Sequence, residues 1–207
     1  MILRGFYFIT DHVLTRQGVL RDVQSALTAG VAAIQYRKKD GDKDLMIAEA
    51  KEIRHLCQKV PFIVNDLLDV AEASQADGLH IGQRDISYAQ ARAALGREKI
   101  IGISVTSLDQ AQRACDVGAD YLGVGPIFAT ATKKDAALPC GTALIRSIKK
   151  ICPLPIVAIG GITLENAAEV LEAGADSLCA ISATVASASV QESIQLFNKA
   201  FERKDSR

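Results

Sequence analysis

The chain has 207 residues, 49% of them hydrophobic and 23% charged, and its 24 basic side chains balance 24 acidic ones. This length suits one α/β barrel with a shared core, and zero net charge supplies no global field for nucleic acid or a membrane surface, so small soluble partners are expected. Five scattered cysteines (Cys57, Cys115, Cys140, Cys152 and Cys179) without CxxC or His spacing read as reduced thiols, and Thr10 and Asp11 interrupt the first apolar run, so a cytoplasmic protein without signal peptide or membrane span is expected.

Short runs rich in Val, Ile, Phe and Tyr alternate with longer amphipathic stretches, the pattern of βα units and a parallel sheet. A strand near 5–10 precedes a helix near 17–29, and a strand near 32–37 precedes a helix near 43–58. Strands near 61–66, 78–82 and 99–105 are followed by helices near 67–75, 87–95 and 107–117. The last three strands, near 121–127, 155–160 and 177–182, lead to helices near 141–151, 163–173 and 189–204. Small-residue signals recur before several strands: TAGVAAI at 28–34, QADGLHI at 75–81, VGADYLG at 117–123 and AGADSLC at 173–179. No strand carries the charges or proline of a sheet edge, and no first turn carries GxGxxG. The expectation is therefore an α/β fold, a single-domain (β/α)8 TIM-type barrel over 1–207. The one long non-helical connection, 128–140, follows the sixth strand on the face where such barrels keep their chemistry.

Six strands end in polar clusters. Gln35, Arg37 and Lys39 share parity on the second strand, with Tyr36 and Lys38 on the other side. An amide followed by two cations suits a diphosphate, since Arg forks onto its oxygens and Lys adds a mobile charge; the alternative is a solvated basic turn. Asn65 and Asp66 end the third strand, and Asp85 follows the fourth. With strands about 4.8 Å apart, both carboxylates can reach one octahedral ion, whose opposite ligands lie about 4 Å apart. Hard oxygen donors without His or Cys point to Mg²⁺; alternatively Asp66 caps the helix starting at Leu67 and Asp85 initiates a turn.

Thr130, Thr132, Lys133 and Lys134 suit a phosphate but also an ordinary exposed loop. Gly160 and Gly161 after the seventh strand read as a backbone phosphate cradle or as a tight turn, with Ile181, Ser182 and Ala183 as a second wall. Ser104 lacks a nucleophile elbow and has no histidine placed to activate it, so it reads as a hydrogen-bonding group. His80, between Leu79 and Ile81, reads as a structural histidine, and His12 and His55 as peripheral. Without a general base, the chemistry is expected to rest on leaving-group and charge stabilisation.

Together the motifs YFITD at 7–11, QYRKK at 35–39, ND at 65–66, GLHIGQRD at 78–85, GISVTS at 102–107, DYLGVGPIFATATKKDA at 120–136, PIVAIGGIT at 155–163 and ISA at 181–183 resemble the thiamine-phosphate synthase family over nearly the whole chain. The resemblance implies a transferase that couples hydroxymethylpyrimidine diphosphate with a thiazole phosphate, releasing diphosphate, by Mg²⁺-assisted dissociative C–N bond formation. It implies Gln35, Tyr36, Arg37, Lys38, Lys39, Asn65, Ser104 and Lys133 for the pyrimidine diphosphate, with Arg37, Lys39, Lys133 and Ser104 catalytic. Asp66 and Asp85 become the Mg²⁺ ligands; Thr130, Ala131, Thr132, Gly161, Ile181 and Ser182 hold the thiazole phosphate. Leu67, Ala129 and Thr106 depart from the residues common in the family. Two competing readings are a thiazole tautomerase, whose fifth-strand histidine base is Thr106 here, and a non-catalytic phosphate- or thiamine-binding barrel. The oligomeric state is open, a homo-oligomer included.

Overall fold

A computed structural model describes residues 3–130 and 138–205. The strands are β1 (Gly5–Ile9), β2 (Ala33–Tyr36), β3 (Phe62–Asn65), β4 (Gly78–Ile81), β5 (Ile100–Val105), β6 (Tyr121–Val124), β7 (Ile156–Ile159) and β8 (Ser177–Cys179). They pair in parallel in sequence order, and β8 returns to β1 to close the barrel, with Gly5 opposite Ser177 and Tyr7 opposite Ala33. The helices are α1 (Val19–Ala29), α2 (Lys43–Leu56), α3 (Leu68–Ala73), α4 (Tyr88–Leu95), α5 (Leu108–Asp116), α6 (Gly141–Ile151), α7 (Ala167–Glu172), α8 (Ile181–Val185) and α9 (Val190–Asp205). The short α8 is the one described helix without a counterpart in the expected pattern, which ran the eighth strand to about 182, whereas β8 ends at Cys179 and Ile181 already starts α8.

Strand alternation makes two cores. Outward residues such as Phe8, Ile34, Phe62, Leu79, Ile101 and Leu122 are fully buried against the apolar faces of the helices. Inward residues form a smaller interior, Tyr7, Ile9, Ala33, Tyr121, Val157 and Cys179. Gln35 on β2 and His80 on β4 are buried polar residues, with β3 between their strands. Glycine makes space for the rings: a Cβ on Gly102 would stand 2.1 Å from Tyr121 Cζ, and one on Gly123 would stand 2.8 Å from His80 Cε1.

Polar residues start several helices where the chain leaves the strand ends. Asp42 accepts from the Leu45 amide at 3.0 Å, and Ser87 forms a reciprocal capping box with Gln90. Each such cap contributes about 1 kcal/mol.

The recurrent small-residue signals have a structural explanation at the opposite rim. Their aspartates accept a backbone hydrogen bond from the start of another strand: Asp77 from Phe62, Asp120 from Ile101 and Asp176 from Ile156, at 2.9, 2.7 and 2.8 Å. Each also pairs with a helix cation, Arg54, Arg92 and Lys149 in turn. These repeats stitch the amino-terminal rim and leave the carboxyl ends of the strands for chemistry.

Candidate functional site

The carboxyl ends of the strands surround a cavity of about 620 Å³, to which Gln35, Arg37 and Lys39 all contribute. The second-strand ladder therefore faces inward, as its parity predicts. The intervening side chains turn outward: the Tyr36 hydroxyl donates to Glu49 of α2 at 2.7 Å, and Lys38 Nζ lies 3.5 Å from the same oxygen. Tyr36 and Lys38 are not among the residues that line the cavity, and their side chains are engaged on α2.

Arg37 is held from behind. Its Nη1 donates to Asp11 Oδ2 at 3.1 Å, while the other Asp11 oxygen accepts the amides of Val13 and Leu14 at 3.0 and 3.1 Å. The Arg37 amide donates to Thr10 Oγ1 at 3.0 Å. His12 lies between the Arg37 carbonyl, 3.3 Å from Nδ1, and Glu49, 2.7 Å from Nε2. The expectation of a peripheral His12 is corrected: it connects the cationic strand end to α2. His55 is exposed.

Glu49 therefore anchors three side chains behind the ladder. Burial pulls its carboxyl up, but hydrogen bonds from Tyr36 and His12 and the fields of His12 and Lys38 outweigh burial, and the group lies below its usual 4.5. A depressed carboxyl contributes stability that is complete above pH 4.5 and lost as the pH falls through its lower folded value. Glu49→Gln is expected to destabilise the barrel by about 1–3 kcal/mol near neutral pH and to flatten the acid limb of the stability curve. Chemical denaturation at several pH values checks both.

Asn65, Asp66 and Asp85 line the same cavity. Asp66 is not the helix cap that a local reading allows, because α3 begins after Leu67 and has no side-chain cap. It sits at φ 62°, with its amide donating to the His80 carbonyl at 2.8 Å. A left-handed conformation at a residue with a Cβ costs about 1–2 kcal/mol. Asp85 does form a turn, with Oδ2 accepting from the Gly82 amide at 2.7 Å, which occupies one of its two oxygens. Both carboxylates thus face one cavity, as hard oxygen donors.

Ser104 corrects a second expectation. His80 Nε2 lies 2.8 Å from Ser104 Oγ, so a histidine does contact it. The two residues sit on adjacent strands, with His80 opposite Gly102 in the β4–β5 register, and both border the cavity. His80 Nδ1 meets the Tyr121 hydroxyl at 2.8 Å, Tyr121 meets the Tyr7 hydroxyl at 2.8 Å, and Gln35 Nε2 donates to Tyr7 at 3.0 Å. Burial pushes the His80 imidazole down from 6.5 to about 4, against the opposing field of Asp85. It also raises the Tyr7 and Tyr121 phenols, which stay protonated. His80 is structural and satisfied, as read, and it also touches a site residue. Its period-two place on a strand already aims it inward, but its side-chain partners come from two other strands, β5 and β6.

Across the cavity lie Thr130, Gly161, Ile181 and Ser182. Gly161 has φ 64°, and a Cβ there would stand 2.5 Å from the Ala129 carbonyl oxygen, so the backbone passes close to the sixth connection. Ala131, Thr132, Lys133 and Lys134 lie outside the described residues. Thr106 also borders the cavity, and its amide and hydroxyl both donate to Gln110 Oε1, at 2.8 and 3.1 Å.

A second cleft of about 490 Å³ lies at the amino-terminal rim. There Arg54 is paired with Asp77, and Lys99 donates to the Ala76 carbonyl at 2.7 Å, so these cations serve the fold. No helix among the described residues is long and apolar enough to cross a membrane.

Known proteins share this fold and much of this sequence. A family model described as thiamine monophosphate synthase matches residues 6–184. The chain is 49% identical over 193 residues to a thiamine-phosphate synthase of Methanosarcina barkeri, covering 93% of this chain and 88% of that protein. It is 49% identical over 183 residues to a thiamine-phosphate synthase of Chloroflexus aurantiacus, covering 87% of this chain and 84% of that one. The fold is similar to a solved thiamine phosphate pyrophosphorylase from Pyrococcus furiosus, with a TM-score of 0.89, 36% identity and coverage of 98% and 97% of the two chains.

Proposed function

The chain belongs to the thiamine monophosphate synthase family, and from that premise we propose how its barrel rim carries out the coupling. The enzyme is a transferase that joins 4-amino-2-methyl-5-hydroxymethylpyrimidine diphosphate to the thiazole phosphate, giving thiamine phosphate and diphosphate. One observation carries the division of labour: the Arg37–Lys39 ladder, Asp66, Asp85 and Ser104 border one cavity whose opposite wall is Thr130, Gly161, Ile181 and Ser182.

On this reading Arg37, held by Asp11, forks onto the diphosphate, and Lys39 adds a second cation. Asn65, Ser104 and Gln35 orient the aminopyrimidine. Asp66 and Asp85 would hold Mg²⁺, which when bound supplies charge stabilisation to the departing diphosphate. The carbon–oxygen bond breaks with its electron pair leaving on diphosphate, and the electron-rich aminopyrimidine carries the developing methylene cation. The thiazole nitrogen then forms the new bond with its own lone pair. Bond formation moves no proton, so no enzymic base is needed. The backbone around Gly160 and Gly161 and the wall at Ile181 and Ser182 receive the thiazole phosphate, at the recurrent phosphate position of these barrels.

The tautomerase alternative needs a base at Thr106, where a hydroxyl is already committed to Gln110. The remaining histidine at the cavity, His80, is a weak base with both nitrogens engaged. A binding module would have little use for the cationic and carboxylate half of the rim. Lys39→Ala separates catalysis from binding: turnover is expected to fall about 10–100-fold, with thiazole-phosphate affinity nearly unchanged. Steady-state kinetics beside direct titration measure the two, and the opposite pattern would favour simple binding.

A further inference from the structure

We propose that the buried chain Gln35–Tyr7–Tyr121–His80–Ser104 has one hydrogen-bond polarity, which fixes Ser104 as a donor to a ring nitrogen of the pyrimidine and makes the enzyme selective for an aminopyrimidine over its oxo counterpart. The selectivity rests on the coupling function above; the polarity follows from proton counting.

Gln35 Nε2 can only donate, and it donates to the Tyr7 hydroxyl at 3.0 Å. A phenol has one proton. The other partner of Tyr7 is the Tyr121 hydroxyl at 2.8 Å, so the Tyr7 proton goes there. Tyr121, which the Gln35 amide also approaches as a donor, then gives its own proton to the acceptor left to it, His80 Nδ1, at 2.8 Å. A neutral imidazole that accepts at Nδ1 carries its hydrogen on Nε2, and that nitrogen faces Ser104 Oγ at 2.8 Å. Ser104 accepts from His80, and its own proton is left for the cavity it borders. The reverse order would leave the Tyr7 proton unpaired in a side chain that is 1% exposed, which folded interiors avoid.

Polarity matters because of what the substrate ring presents. In an aminopyrimidine the ring nitrogen beside the amino carbon accepts a hydrogen bond; in the oxo analogue the same nitrogen carries a hydrogen and donates. A serine fixed as donor pairs with the first and opposes the second. Sites built to hydrogen-bond a specific group reject a mismatch far more strongly than apolar pockets do. Tyr7, Tyr121 and His80 are accordingly positioning residues, acting through Ser104.

The tautomer is directly readable. In an untagged His12→Gln, His55→Gln protein, His80 is the single histidine left of the three in the chain. Long-range ¹H–¹⁵N correlation without substrate is expected to show a neutral ring with hydrogen on Nε2 and Nδ1 bare; hydrogen on Nδ1, or a mixture, would overturn the polarity. Tyr121→Phe in that background should make the tautomer mixed, and in the otherwise wild-type enzyme should raise KM for the pyrimidine diphosphate at least 5-fold with the thiazole-phosphate KM unchanged. An unaltered tautomer and KM would overturn the role of Tyr121. The oxo analogue of the diphosphate should inhibit at least 10-fold more weakly than the amino substrate binds, and Ser104→Ala should abolish that gap. A variant that keeps the full gap would overturn the role of Ser104. Because the tautomer is read without substrate, failure to couple the two phosphorylated halves would defeat the functional reading alone, whereas a coupling enzyme with hydrogen on His80 Nδ1 would defeat the polarity alone.

Discussion

Asp66→Ala and Asp66→Asn should each lower the coupling rate by roughly 10²–10³-fold, the scale of losing one strong element of transition-state charge stabilisation. Asp66 combines a carboxylate at the cavity with φ 62° and no capping role. Such strain at a residue that does not start its helix points to function, here to presenting the carboxylate beside Asp85. The asparagine variant is the informative one, since Asn tolerates the left-handed conformation and keeps the shape while losing the charge. Chelation should reversibly remove activity from the native enzyme. An asparagine variant at full rate in ordinary Mg²⁺ would sink the metal assignment.

Arg37→Ala should produce a loss of similar size, roughly 10²–10³-fold in kcat/KM for the pyrimidine diphosphate. The guanidinium offers several donors in a fixed plane, and the bond to Asp11 at 3.1 Å uses one nitrogen and sets the orientation of the rest. Removing it also leaves the buried Asp11 carboxylate near the place where an anionic substrate must bind. Arg37→Lys should recover only part of the activity, because an ammonium keeps the charge but not the fork. Kinetics with each substrate varied in turn separates this from general damage: the thiazole-phosphate KM should move little. Equal losses for both substrates would argue that Arg37 supports the fold of the rim instead.

Much of this is written locally in the chain. Period-two parity at 35–39 separates Gln35, Arg37 and Lys39 from Tyr36 and Lys38, and the structure keeps that separation, with Glu49 engaging the outward pair. The eight strands and their closure follow from alternating apolar runs and the absence of an edge. What could not be read is non-local. Asp11 stands 26 residues before Arg37, and the chain from Gln35 to Ser104 joins five side chains on five strands. No spacing rule within one strand reveals that Tyr121 fills the room left by Gly102, or that His80 fills the room left by Gly123. The aspartates of three of the repeated signals gave no local clue to their role, since each ties the start of another strand to a helix cation. The short α8 escaped because five residues are too few for a helical period to register.

The central claim is that one rim ionises the pyrimidine diphosphate and lets the thiazole nitrogen capture the cation. Mixing the native protein with both phosphorylated halves and Mg²⁺, while following diphosphate and thiamine phosphate together, tests it most directly. The two products should appear one for one and only when both substrates are present; thiazole isomerisation without diphosphate release, or no product at all, would contradict it.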